Sequence, residues 1–152
     1  MENDIKNHKK TVLITGCSSG FGLLTAVRLS RKFNVYATMR DLNKKEALVA
    51  ALGESDGKAT ILELDVTEDK SIIKVKEQIE AENGKLDILI NNAGYAQGGF
   101  FEDLSEQEIR EQMETNFFGV QKVTRALLPL LRKSGQAKII NLSSIAGRLS
   151  LP

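Results

Sequence analysis

The sequence holds one cysteine, Cys17, and one histidine, His8. A lone cysteine excludes an internal disulfide and fits a reducing compartment. A lone histidine in an N-terminal tail excludes multi-histidine metal sites and makes a Ser-His-Asp triad a poor reading, so no metal is expected. No apolar run approaches membrane-spanning length, and the polar opening Met1-Glu2-Asn3-Asp4 does not read as a signal peptide. A soluble cytoplasmic protein without a membrane partner is expected. An excess of one charge is also missing. Lys and Arg total 21 against 20 Asp and Glu, a formal net charge of +1, which gives no electrostatic reason to expect a nucleic acid. The basic cluster Lys6-Asn7-His8-Lys9-Lys10 reads as a solvated arm. Repeats, low-complexity segments and linkers are absent, and 152 residues suffice for one domain around one core.

What is present is an alternation of short apolar runs with longer amphipathic ones. The runs predict strands at Thr11–Thr15, Asn34–Met39, Thr60–Leu64, Leu86–Asn91 and Lys138–Leu142, each unbroken as in strands buried on both faces. Helices are predicted at Gly20–Lys32, Lys44–Leu52, Glu68–Glu82 and Glu106–Arg132. Right-handed crossovers make this an α/β protein with a doubly wound parallel sheet.

The densest signal is Thr15-Gly16-Cys17-Ser18-Ser19-Gly20-Phe21-Gly22, between the first strand and the first helix. Glycine turns the chain with φ > 0 at no steric cost, and missing side chains admit a pyrophosphate close to the backbone. The helix start then offers free N–H groups and a positive dipole end. The spacing is G-x-x-x-G-x-G rather than the commoner G-x-G-x-x-G, and a tight strand-to-helix turn is the plain alternative. Cys17 lies inside this loop, where nothing in the sequence supports a redox role.

Other polar residues stand at strand ends or on an apolar stripe. Asp65 ends the third strand, with Thr67 placed to cap the following helix. Asn91-Asn92-Ala93-Gly94 ends the fourth, where buried amides must find partners. The loop from Tyr95 to Phe101 either lines an apolar pocket or tucks Phe100 and Phe101 onto the core. Ser105-Glu106-Gln107-Glu108 is a capping box opening the long fourth helix, in which Pro129 is a candidate kink. Its apolar stripe is Ile109, Met113, Phe117, Val120, Val123 or Thr124, Leu127 and Leu131, and Asn116 falls on the face of Met113 and Val120. Asn141-Leu142-Ser143-Ser144 ends the fifth strand, and no histidine is near to make Ser144 a nucleophile.

Taken in order, the loop Thr15–Gly22, Asn91-Asn92-Ala93-Gly94, Asn116 and Asn141-Leu142-Ser143-Ser144 resemble the short-chain dehydrogenase/reductase family, over about Lys10 to Pro152. Thr11 to Asp41 is most similar to the steroid- and retinol-type members. The resemblance implies a Rossmann-like sheet in strand order 3-2-1-4-5, with the cofactor at its C-terminal edge. It assigns Thr15, Gly16, Ser18, Ser19, Gly20, Phe21 and Gly22 to the cofactor loop. It sets Asp65 on the adenine amino group with the Val66 backbone beside it, and Asn92, Ala93 and Gly94 at the ribose. The acid that would read a ribose 2′-OH is replaced by Met39, and Arg40 follows, suited to a 2′-phosphate. NADP(H) is therefore expected over NAD, with Asp41 starting the next helix. The resemblance further assigns Ser144 to the substrate's oxygen, Ser143 to the cofactor side, and the Asn116 backbone to a water in a proton relay.

The implied activity is hydride transfer between a secondary alcohol and a ketone, or an alcohol and an aldehyde, by an enzyme that pairs into homo-oligomers when intact. The family's acid–base tyrosine, in a Tyr-x-x-x-Lys motif, stands about 13 residues after the serine, past Pro152. The expectation is a single NAD(P)-binding domain over residues 1–152, incomplete at its C-terminus, truncated after the fifth strand and inactive alone. Its fifth strand would be an open edge, leaving it marginally stable or self-associating. The alternative is a non-catalytic NADP(H)-binding module. A methyltransferase on a similar sheet is disfavoured by Asn92-Ala93-Gly94, Asn116 and Ser144 together.

Overall fold

Five short strands lie side by side in the order β3-β2-β1-β4-β5, all parallel. They are β1 (Thr11–Ile14), β2 (Asn34–Met39), β3 (Ala59–Glu63), β4 (Ile88–Asn91) and β5 (Lys138–Asn141). The structure is a computed structural model that describes residues 9–148. Helices α1 (Gly20–Ser30), α2 (Glu46–Glu54) and α3 (Asp69–Asn83) make the first crossovers, and α4 (Glu106–Met113), a π-helical segment (Glu114–Gly119) and α5 (Val120–Ser134) make the last. Element bounds depart from the sequence-derived ones by one or two residues at most ends, the usual fraying of termini. Among the described residues no helix is long and apolar enough to cross a membrane.

Alternation along the strands divides the core in two. Val12 and Ile14 of β1, with Val35, Ala37 and Met39 of β2, pack beneath α1 and α2 around Ala26, Leu48 and Leu52. Leu13, Tyr36 and Leu89 face the other way, onto Ile72, Val75 and Ile79 of α3 and Val123, Leu127, Leu130 and Leu131 of α5. β5 departs from this pattern: Ile139 and Ile140 are 43% and 45% exposed, because no described strand or helix packs outside it.

The fourth helix differs most from expectation. Its capping box forms as predicted, with the Glu108 N–H donating to Ser105 Oγ and the Ser105 N–H to the Glu108 carboxylate. The helix is not continuous to Arg132, however. The wider i→i+5 turn over Glu114–Gly119 breaks the 3.6-residue phase. The stripe is therefore buried only in α5, while Met113 and Phe117 are exposed and Asn116 is exposed with them.

The N-terminal edge of the sheet is closed by polar bonds. The Thr11 N–H donates to Asp87 Oδ2 (2.8 Å) and the Ser134 hydroxyl to Asp87 Oδ1 (2.6 Å). The Tyr36 hydroxyl donates to Glu82 and accepts from Asn83.

Candidate functional site

On the C-terminal edge, the loops leaving the strands carry most of the polar residues singled out in the sequence. The loop after β1 is the most constrained. Gly16 has φ +74°, and a Cβ there would lie 2.8 Å from Ala93 Cα. Gly22, in the first turn of α1, would set a Cβ 2.1 Å from the Gly16 carbonyl oxygen. Gly20, at φ +56°, has nothing within 4 Å of such a Cβ, so its side faces open space. Ser19 is the N-cap of α1 but makes no side-chain cap bond, and no acid stands in the first turn. The Ser19 side chain thus leaves the N–H groups at the positive helix end uncapped, with Ser19, Gly20 and Phe21 exposed and Ser18 half-buried. A loop of this kind could let a pyrophosphate approach the backbone.

Two residues lock this loop to the one after β4. The Thr15 hydroxyl oxygen accepts from the N–H groups of Asn92 (3.0 Å) and Ala93 (2.9 Å). The Asn92 amide returns two bonds, to the carbonyl oxygens of Thr15 (2.8 Å) and Gly16 (2.9 Å). Both side chains therefore act on the backbone of the loops. Thr38 adds a third tie that the sequence did not signal: its carbonyl accepts from the Cys17 N–H and its hydroxyl donates to the Ile14 carbonyl. Cys17 is fully buried, and burial pushes its thiol up to about 12 against the bond from the backbone, so it carries no thiolate at neutral pH.

Arg40 is exposed past the end of β2, and among the described residues its side chain has no hydrogen-bonding or ionic partner. Asp41 is the N-cap of a short 3-10 turn (Leu42–Lys44), its Oδ1 accepting from the Asn43 N–H at 2.9 Å, as expected of a helix start. After β3, Asp65 Oδ1 accepts from the N–H (2.9 Å) and hydroxyl (2.7 Å) of Thr67. Thr67 does not cap α3, contrary to expectation. The N-cap is Glu68, without a side-chain bond: α3 starts at Asp69, one residue too late for Thr67 to stand at its N-cap, and the Thr67 hydroxyl donates instead to Asp65 Oδ1. Val66 is buried at 7% exposure.

Asn116 lies in the π-helical segment and clamps Tyr95: its Oδ1 accepts from the Tyr95 N–H (3.0 Å) and its Nδ2 donates to the Tyr95 carbonyl (2.7 Å). A Cβ on Gly94 would come 3.1 Å from that Oδ1, so the turn tolerates little bulk. Phe100 and Phe101 are 75% and 80% exposed, which excludes their tucking onto the core. Asn91 and Asn141 face each other across β4 and β5, with Asn91 Nδ2 donating to Asn141 Oδ1 at 2.8 Å. The chain then passes through Leu142, whose N–H donates to the Asn91 carbonyl, to the exposed Ser143 and Ser144. Thr15, Gly16, Gly22, Asn92 and Ala93 are thus brought into one contact set, and Gly94 and Asn116 into a second beside it. Among the described residues the Arg40 side chain makes no bond to either set.

A family model described as short chain dehydrogenase matches residues 10–152. The chain is 48% identical over 147 residues to an uncharacterized oxidoreductase of Bacillus subtilis, YusZ, covering 95% of this chain and 52% of that protein. It is 43% identical to human retinol dehydrogenase 8, covering 91% and 45% respectively. A crystal structure of actinorhodin polyketide ketoreductase with NADPH superposes with a TM-score of 0.87 at 28% identity, covering 94% of this chain and 56% of that one. The chain spans about half the length of the curated relatives it matches.

Proposed function

From the premise that the chain belongs to the short chain dehydrogenase family, we propose that it carries the nucleotide-binding half of an NADP(H)-dependent oxidoreductase. The intact enzyme would interconvert a secondary alcohol and a ketone, or an alcohol and an aldehyde. The observation that carries the reading is the glycine loop: Gly16 and Gly22 leave no room for a Cβ, while Gly20 opens onto space beside an uncapped helix start.

In this reading the backbone of Ser18 to Gly22 holds the pyrophosphate, and Thr15 and Asn92 keep the two loops in register behind it. Arg40 pairs with a 2′-phosphate, and Asp41 is withheld from the ribose by its bond to the Asn43 N–H. Asp65 and the Val66 backbone receive the adenine, Ala93 and Gly94 lie at the ribose, and Ser143 faces the cofactor. When bound, the nicotinamide gives or takes the hydride. Ser144 holds the substrate's oxygen, and the Asn116 backbone holds a relay water. The acid–base tyrosine and lysine belong to a part of the protein beyond these 152 residues.

The chain contains no tryptophan, so the emission of bound NADPH can be followed without indole interference. NADPH is expected to bind at least about tenfold more tightly than NADH, a difference of about 1.4 kcal/mol. Arg40→Ala should abolish that difference and leave NADH affinity unchanged. Absence of NADPH binding would overturn the nucleotide reading, and a preference unmoved by Arg40→Ala would overturn the role of Arg40.

A further inference from the structure

The loop between β3 and α3 is held by the helix that follows β4. Val66 fits against Gly119 so closely that a Cβ on that glycine would stand 2.7 Å from Val66 Cγ2. Three residues further on, Lys122 Nζ donates to the Thr67 carbonyl oxygen at 3.0 Å and pairs with the Glu114 carboxylate. Thr67 is tied in turn to Asp65 through its N–H and its hydroxyl, and the Asp65 N–H donates to Ser71 Oγ at 3.0 Å. Glu114 opens the π-helical segment that carries Asn116. A continuous set of contacts therefore runs from that segment through Glu114, Lys122 and Thr67 to Asp65.

A partly exposed ion pair by itself adds little stability. What distinguishes Lys122 is its second acceptor, a backbone carbonyl in a loop on the ligand edge. Loss of that donor removes the Lys122 bond from the Thr67 carbonyl and leaves the turn that carries Asp65 tied to this helix only by the packing of Val66 on Gly119. The Glu114 hydrogen bond raises the pKa of Lys122, so the ammonium and its donors persist above neutral pH.

We infer that Lys122 is a positioning residue for the adenine end of the nucleotide, acting through Thr67 on the Asp65 carboxylate and the Val66 backbone. The inference rests on the nucleotide reading above. Its test is calorimetric titration of the full chain and its variants with two fragments of the cofactor: 2′,5′-ADP, which carries the adenine, and reduced nicotinamide mononucleotide, which lacks it. Lys122→Met is expected to weaken 2′,5′-ADP about tenfold and to leave the mononucleotide within about twofold. Lys122→Arg, which keeps a charged donor, should recover most of the loss. Unchanged affinity of Lys122→Met for 2′,5′-ADP overturns the inference, as does an equal loss for both fragments. A wild-type chain that binds neither fragment overturns the nucleotide reading itself, and the inference with it. Should Lys122→Met fail to fold, Glu114→Gln supplies the test. It removes the anion that fixes Lys122, so a smaller loss confined to 2′,5′-ADP is expected, and no loss overturns the inference.

Discussion

Thr15 and Asn92 hold each other across the C-terminal edge of the sheet: the Asn92 N–H donates to Thr15 Oγ1 at 3.0 Å, and Asn92 Nδ2 donates to the Thr15 carbonyl at 2.8 Å. The Ala93 N–H shares the same hydroxyl oxygen. Thr15→Val keeps the side chain's shape but removes that acceptor, leaving two N–H groups unpaired. A loss of about 1–3 kcal/mol in urea unfolding is expected, and Thr15→Ser should recover most of it.

The loop glycines should differ sharply from one another. Gly22→Ala sets a Cβ against the Gly16 carbonyl oxygen at 2.1 Å, a backbone atom that cannot swing aside. It should destabilise the protein by about 1–3 kcal/mol or more and abolish NADPH binding. Gly20→Ala meets no atom and carries only the cost of a positive φ, about 1–2 kcal/mol. Parallel urea and NADPH titrations of the two variants would check the order.

Cys17 should be inert to a thiol reagent at pH 8 in the folded protein and react fully in denaturant. It is buried, and its pKa is raised to about 12. Labelling in native buffer therefore reports opening of the glycine loop, and saturating NADPH should slow it. Rapid labelling of the folded chain would contradict this placement.

Acid should loosen the opposite edge of the sheet. Burial acts to raise the Asp87 carboxyl, but the Ser134 hydroxyl, the Thr11 N–H and Lys85 outweigh it and hold the pKa below the ordinary 3.8. A lowered folded-state pKa gives stability that is present above the unfolded value and is lost as pH falls through the folded one. Urea midpoints should therefore drop below about pH 4, and Asp87→Asn should flatten that dependence while lowering stability at pH 7.

Asn116→Ala removes both bonds to the Tyr95 backbone. Faster amide exchange and proteolysis are expected in residues 95–101, with a stability loss of about 1–2 kcal/mol. Asn116→Asp should be worse than Asn116→Ala, because it turns a carboxylate toward the Tyr95 carbonyl.

The parallel sheet and most of its helices were legible because they rest on short-range rules. Apolar period, turn residues and capping chemistry act within a few positions, as at Ser105 and Asp41. The glycine loop was legible for the same reason: φ and the absence of a Cβ are properties of the residue itself. The family resemblance supplied the strand order and the roles assigned to Asp65, Asn116 and Ser144.

Tertiary structure decided what depends on residues far apart in the chain. The Thr15–Asn92 lock joins positions 77 residues apart, and the Lys122–Thr67 bond joins positions 55 apart, so no local pattern announces either. The π-helical turn was hidden because a 3.6-residue period cannot register a turn of different width, and with it the exposure of Met113, Phe117 and Asn116. Which loop residues are engaged in holding one another, and which stay open to a ligand, follows from how the strand ends converge. Local residue chemistry specified which elements form and which residues reach their ends; the packing of those ends set what each residue can touch.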